Sequence, residues 1–211
     1  MSNSETKNPI LFFLKESWLL MVSAVFFGGL LALTDAAWSG KVKQNTVSKF
    51  DNLAKNVLAE AQTFEPLGEA MLLTVGEGKQ VHADVRKGLD ANGNCVGWVF
   101  VAEGSGFADK IKLVVAVNAT FETLYGFSVL ACSETPGFGD KITIKDGFYQ
   151  AQYKNAPVGQ FELVKVGDSQ KIDNQIIAIT GATVTSRAVV EIMNTYVVQI
   201  KEQLAQKGLL K

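Results

Sequence analysis

The sequence predicts an α+β protein: one N-terminal transmembrane helix, then a mixed, largely antiparallel domain that closes with a C-terminal helix. Three observations predict it. Residues Ser17 to Thr34 contain no charged side chain. From Met71 to Cys132, short runs rich in Val, Leu and aromatic residues are separated by turn chemistry. From Thr183 to Gln206, apolar residues recur at helical spacing. Strands gathered in one stretch, with helices at the ends, point to an α+β arrangement.

The first element is the apolar run Trp18 to Leu33. About 18 to 20 such residues are needed for a helix to cross the hydrocarbon core of a bilayer. Trp18 and Trp38 flank it, where indole rings favour the interface. A cleaved signal peptide is the rival reading, but Thr34-Asp35-Ala36-Ala37-Trp38 is a poor cleavage site. A buried helix of a soluble protein would show a polar face at i, i+3, i+4 spacing, and this run has none. Lys7 and Lys15 lie on one side of the run, and Lys41, Lys43 and Lys49 on the other. Charge alone therefore leaves orientation open.

Beyond Gly40 the pattern changes. Val42, Val47, Phe50, Leu53, Ala54, Val57, Leu58 and Ala61 recur at helical spacing and predict an amphipathic connecting helix, ended by Phe64-Glu65-Pro66. Met71 to Val75 reads as a strand. Residues 80–102 read as a hairpin turning at Asp90-Ala91-Asn92-Gly93-Asn94, where Asn-Gly readily takes positive φ. Gly104-Ser105-Gly106 reads as a loop, Ile111 to Asn118 and Thr123 to Cys132 as strands. Asp146 to Tyr153 reads as a short helix, and Phe161 to Val166 and Gln175 to Ile179 as two further strands. The expected division is a tail and anchor over 1–38, a connecting helix over 39–66, and a domain over 67–211.

Composition narrows the function. A net charge of −1 gives no basic footprint for nucleic acid. The single histidine, His82, lies in an alternating strand and cannot build a histidine-rich metal site. Cys95 and Cys132 form no CxxC pair and cannot by themselves ligate an iron–sulfur cluster. Whether they meet as a disulfide is open. No Ser–His–acid set suggests hydrolysis, and the glycines at 104, 106, 137 and 139 do not form GxGxxG after a strand.

The junction Ile176 to Ser186 is the informative one: an apolar strand, a Gly-containing turn, then a helix. Free amides at a helix N-terminus bind anions, and the helix dipole adds to the attraction. Thr180, Thr183, Thr185 and Ser186 crowd this first turn, while Gly181 and Ala182 leave room for a bulky group. Taken locally, the favoured reading is that Thr180 is a plain N-cap and the other hydroxyls are incidental. The spacing and the lysine of a P-loop are missing.

Two motifs here resemble a known family. Thr180-Gly181-Ala182-Thr183-Val184-Thr185 is similar to the [ST]GAT-x-[ST] signature of the FMN-binding domain shared by the G subunit of the Rnf complex and the C subunit of the sodium-translocating NADH:quinone oxidoreductase. Glu134-Thr135-Pro136-Gly137-Phe138-Gly139-Asp140-Lys141 resembles the family's ETPGLGxK loop. Phe138 replaces the usual leucine, and Cys132 stands where the family often has histidine, which leaves a histidine contact to the flavin unsupported. The resemblance implies an FMN bonded as a phosphoester to Thr183 by a dedicated flavin transferase that acts outside the cytoplasm. Thr180, Gly181, Ala182 and Thr185 would surround the phosphate. Glu134, Thr135, Pro136, Phe138 and Gly139 would border the ring. It further implies membrane residence with the domain on the extracytoplasmic side, contact with the membrane A, D and E subunits, and electron relay without direct binding of NADH or ferredoxin. The length favours the Rnf G subunit. The sodium-pump C subunit, a stand-alone flavin relay and an anchored binding or assembly module without flavin are the alternatives.

Overall fold

The computed structural model describes residues 9–68, 70–76 and 78–210. Of the lysines that flank the apolar run, Lys7 and the side chains of Lys15 and Lys43 lie outside what it describes. The chain divides into two compact units, Met1–Val47 and Ser48–Lys211.

Helix α1 (Pro9–Val57) supplies the described part of the first unit and enters the second. Leu19, Leu20, Val25, Phe26, Leu31 and Leu33 are all exposed along it. By length and composition the stretch Glu16–Val57 can cross a membrane. A bilayer would cover such side chains at no cost to the backbone, whose hydrogen bonds are internal to the helix. The expected change of element after Gly40 is absent: α1 runs through it unbroken. One interior glycine costs only about 1 kcal/mol and does not stop a helix that good formers continue on both sides. The helix also ends earlier than Pro66, and Thr63–Pro66 forms strand β1. Pro66 is tolerated there because β1 lies at a sheet edge.

The second unit is built on a five-stranded antiparallel sheet of order β1-β4-β5-β6-β7. Its members after β1 are β4 (Val85–Leu89), β5 (Cys95–Ser105), β6 (Lys110–Asn118) and β7 (Leu124–Ala131). Alternation divides the strand residues between two cores. Trp98, Phe100, Ala102, Leu113, Val115 and Val117 join the core that holds helix α3 (Thr183–Gln206). Val99, Val114 and Ala116 point the other way, onto Phe50, Ala54 and Leu58 at the end of α1. Covered on both faces, β5 and β6 read as nearly continuous apolar runs rather than as an alternating pattern.

The hairpin expected over 80–102 proves to be parts of two. β3 (Lys79–Ala83) pairs with β2 (Met71–Val75), while β4 pairs with β5. The turn between β4 and β5 is the one expected: Asp90 accepts from the amides of Asn92 and Asn94, both at 2.8 Å, and Gly93 has φ +79°. The outer edge of β2 is met by side chains of α3. Gln199 donates to Thr74 O at 2.7 Å and accepts from Thr74 N at 2.8 Å, and Gln203 donates to Leu72 O at 2.8 Å.

After β7 come a 3-10 turn (Gly139–Thr143), the short helix α2 (Phe148–Ala151), and a parallel pair, β8 (Glu162–Val164) with β9 (Gln175–Ile177). The Asn194 side chain brackets Phe161 just before β8, at 2.7 and 2.9 Å. Gln152 does the same for Ile177 in β9. Cys95 and Cys132 are free thiols, and burial pushes both upward in pKa. His82 is exposed on β3, opposite Leu72.

Candidate functional site

Strand β9 leads into a tight turn closed by the Ala182 amide, which donates to Ile179 O at 2.9 Å. Gly181 is the third residue of that turn and has φ +81°, the value that a type II turn demands and that L side chains resist. Ser186, fully buried, fastens the turn from within. Its Oγ accepts from Ile179 N at 3.0 Å and donates to Ala182 O at 2.9 Å. Beneath it, the buried Tyr149 hydroxyl donates to Ser186 O at 2.7 Å and meets Tyr153 Oη at 3.1 Å.

The N-cap of α3 is therefore Ala182, which offers no side-chain cap, and not Thr180. The first intrahelical bond runs from Ser186 N to Ala182 O. The amides of Thr183, Val184 and Thr185 precede it, so the helix presents its unused donors and its positive end at this point. The four hydroxyls of the turn have different fates. Thr185 and Ser186 are buried and spend theirs on protein acceptors. Thr180 is exposed and stands outside the cleft. Thr183 lines the cleft and makes no hydrogen bond with another described residue through its hydroxyl.

That cleft has a volume of ≈ 440 Å³ and three walls. Gly181, Ala182, Thr183, Val184 and Thr185 form one. Glu134, Thr135, Phe138 and Gly139 form the second, and Phe107, at the β5–β6 tip, the third. Pro136 lies beside the cleft without lining it. Phe138 packs over Gly181: a Cβ there would come within 2.9 Å of its ring. Phe107, Phe138 and Val184 are more than half exposed and give the opening an apolar rim.

Glu134 is the best buried charged group of the site, only 6% exposed. Its Oε1 accepts from the amides of Phe107 and Ala108 at 2.9 and 3.0 Å, and its Oε2 accepts from Thr185 Oγ1 at 2.6 Å. Asp140 Oδ1 nearby is buried without a partner among the described residues.

Sequence reasoning missed Phe107 and Val184 as lining residues. An aromatic in the Gly106-Phe107 tip, where nothing in the pattern required burial, was the available signal for the first. A larger cavity of ≈ 720 Å³ lies between the β2–β3 hairpin and α3, lined by Lys79, Glu103, Lys110, Glu191, Ile192 and Tyr196 among others. It contains no helix terminus, so the smaller cleft is the one equipped for an anionic group. Among the described residues, no three His, Cys, Asp or Glu side chains gather as a metal site.

Comparison with known proteins places this cleft in context. Residues 106–198, which include residues from all three walls, match the family model of the FMN-binding domain. The chain is 32% identical over 185 residues to the G subunit of the ion-translocating oxidoreductase complex of Methanosarcina acetivorans, covering 88% of this chain and 92% of that one. It is 28% identical over 198 residues to the G subunit of the Na(+)-translocating ferredoxin:NAD(+) oxidoreductase complex of Acetobacterium woodii, covering 91% and 93%. Among solved structures, Shewanella oneidensis NqrC superposes with TM-score 0.54 at 25% identity, over 70% of this chain and 73% of that one. The C subunit of the Na(+)-translocating NADH-quinone reductase of Parabacteroides distasonis shares the fold, with TM-score 0.52 at 20% identity over 76% and 95%.

Proposed function

The chain belongs to the G-subunit family of ion-translocating ferredoxin:NAD oxidoreductase complexes, and we propose that it carries its FMN as a phosphoester on Thr183. One observation carries the reading. Of the four hydroxyl residues on the turn, Thr183 alone both lines the cleft and leaves its hydroxyl without a hydrogen bond among the described residues, and it opens a helix whose first amides have no partner there.

The cleft fits the group. A phosphate suits the N-terminal amides of Thr183 to Thr185 and the dipole of α3. Gly181 and Ala182 keep the approach narrow in side chain, and Phe107, Phe138 and Val184 offer apolar surface for a flat ring. Thr135 and Pro136 border the same edge. When bound, the isoalloxazine supplies the redox chemistry; the protein supplies position and surroundings. Attachment replaces the Thr183 O–H bond with an O–P bond. FAD is the donor, its pyrophosphate bond breaks, AMP leaves, and a base of the flavin transferase takes the hydroxyl proton. A bonded cofactor is not lost from a carrier that works between partners.

The helix Glu16–Val57 is the membrane-spanning candidate, with the domain on the extracytoplasmic side. There the protein relays electrons between a membrane-embedded iron–sulfur site and the other covalent FMN of the complex, in contact with the membrane A, D and E subunits. It has no NADH or ferredoxin site of its own. The structural likeness to NqrC favours a second reading, the C subunit of the sodium-translocating NADH:quinone oxidoreductase; copurifying proteins discriminate the two.

Coexpression with a flavin transferase tests the attachment. The wild-type chain gives a fluorescent band on a denaturing gel and gains the mass of an FMN phosphoryl group. Thr183→Ala abolishes both. A dark, unmodified wild-type chain would leave an anchored binding module without flavin.

A further inference from the structure

Resting on the assignment of the cleft to FMN, we infer that Glu134 is a positioning residue, whose carboxylate clasps the three walls of the cleft together before any flavin is attached. Glu134 stands on the second wall. One oxygen takes the amides of Phe107 and Ala108 from the third wall, and the other takes the hydroxyl of Thr185 from the first. The partners are 26, 27 and 51 residues away in sequence, so no local turn preference would bring them together. Hydrogen bonds to a carboxylate are among the stronger ones, and leaving such buried donors unpaired is costly.

The surroundings are shaped to this carboxylate. A Cβ on Gly106 would overlap Glu134 Oε1. A Cβ on Gly139 would lie 2.8 Å from Glu134 Oε2 and 2.7 Å from Thr185 Oγ1. The side chain is cleared on two sides by residues that have none, which a contact made only to a ligand would not require. Thr185 is likewise 2% exposed and donates inward, so its hydroxyl serves Glu134 and not the phosphate. The loop 134–141 and the turn 180–185 are thus one hydrogen-bonded unit. Thr185 sits two residues beyond Thr183 on the same helical turn, and fixing it fixes how Thr183 is offered.

The test uses the full-length chain purified without flavin, given FAD and flavin transferase, with initial attachment rates read by in-gel fluorescence. Hydrogen–deuterium exchange across residues 105–109 is read on the same apoprotein. Glu134→Ala and Thr185→Val should slow attachment by about tenfold or more, because misplaced reacting groups lose rate steeply. Both should raise exchange at 105–109 while the strands keep their protection. Glu134→Gln and Thr185→Ser preserve a clasp, since a glutamine oxygen can take the two amides and its NH₂ can donate to Thr185. They should stay within about threefold of wild type. Unchanged exchange at 105–109 in Glu134→Ala overturns the inference, as does a Glu134→Gln protein that is as slow as Glu134→Ala. If Glu134→Ala fails to fold, Thr185→Val against Thr185→Ser decides by the same two readings. A wild-type chain that accepts no flavin defeats the FMN assignment instead, and the exchange measurement still judges the clasp.

Discussion

Ser186 is wholly buried and uses its hydroxyl twice, accepting from Ile179 N and donating to Ala182 O. Ser186→Ala leaves the Ile179 amide without its acceptor in a dry interior and reduces Ala182 O to its one backbone donor, Ser186 N, at a cost of about 2 kcal/mol. In a domain of this size the melting temperature of the apoprotein should fall by roughly 4–8 °C, measurable by circular dichroism. The division of labour among the four hydroxyls was partly legible beforehand. Carrying the apolar stripe Val189, Ile192, Met193 and Tyr196 one turn toward the N-terminus lands on Thr185 and Ser186, and leaves Thr183 on the outer side. What the stripe could not reveal is that the acceptor for Thr185 would be Glu134, 51 residues upstream. Such a contact depends on how the loops fold over the sheet. The N-cap at Ala182 was equally hidden, because a local reading favours the hydroxyl residue Thr180.

Elements here are joined by side-chain amides that imitate strand pairing. Gln199 brackets Thr74 at an exposed edge, and Asn194 brackets Phe161 where the backbone is partly buried. Burial decides which matters more. Gln199→Ala hands the Thr74 groups to water and should cost about 1 kcal/mol, whereas Asn194→Ala should cost about 2–3 kcal/mol. Urea unfolding of the two variants checks the order, and faster exchange at the Thr74 amide should mark the first. Strands β2, β6 and β7 could be read from β-branched and aromatic runs, and α3 from its period. The hairpin over 80–102 could not be divided correctly, because Asp84 breaks it without Gly or Pro, and the true partner of β3 is β2 upstream. Strand β1 was masked in the same way: Phe64-Glu65-Pro66 reads as the end of the helix, but α1 stops at Val57 and the sheet recruits Phe64 against Phe50, ring centroids 6.5 Å apart.

At the scale of the molecule, burial raises the pKa of all four tyrosines, Tyr149 and Tyr153 most strongly. A phenol whose folded pKa exceeds its unfolded value near 10 stabilises the fold fully below that value and loses the contribution as pH rises. With two such buried groups, stability should decline by up to about 3 kcal/mol per pH unit above pH 10. Absorbance at 295 nm should show the phenolates of Tyr149 and Tyr153 appearing together with the loss of circular dichroism, and not before it. The second unit has its own cores, drawing on Phe50 and later residues. A chain beginning at Ser48 should therefore leave the membrane fraction, remain soluble without detergent and melt within about 2 °C of the full-length apoprotein, since distant independent parts contribute additively. The walls of the cleft come from residues 107, 134, 135, 138, 139 and 181–185, the last group at the head of the helix that follows every strand. During synthesis the ribosome thus releases the three walls piecemeal, the turn and the helix start emerging last. On the proposed attachment to Thr183, maturation must then wait for a finished, folded chain, and a product cut short inside that helix should stay colourless on a denaturing gel.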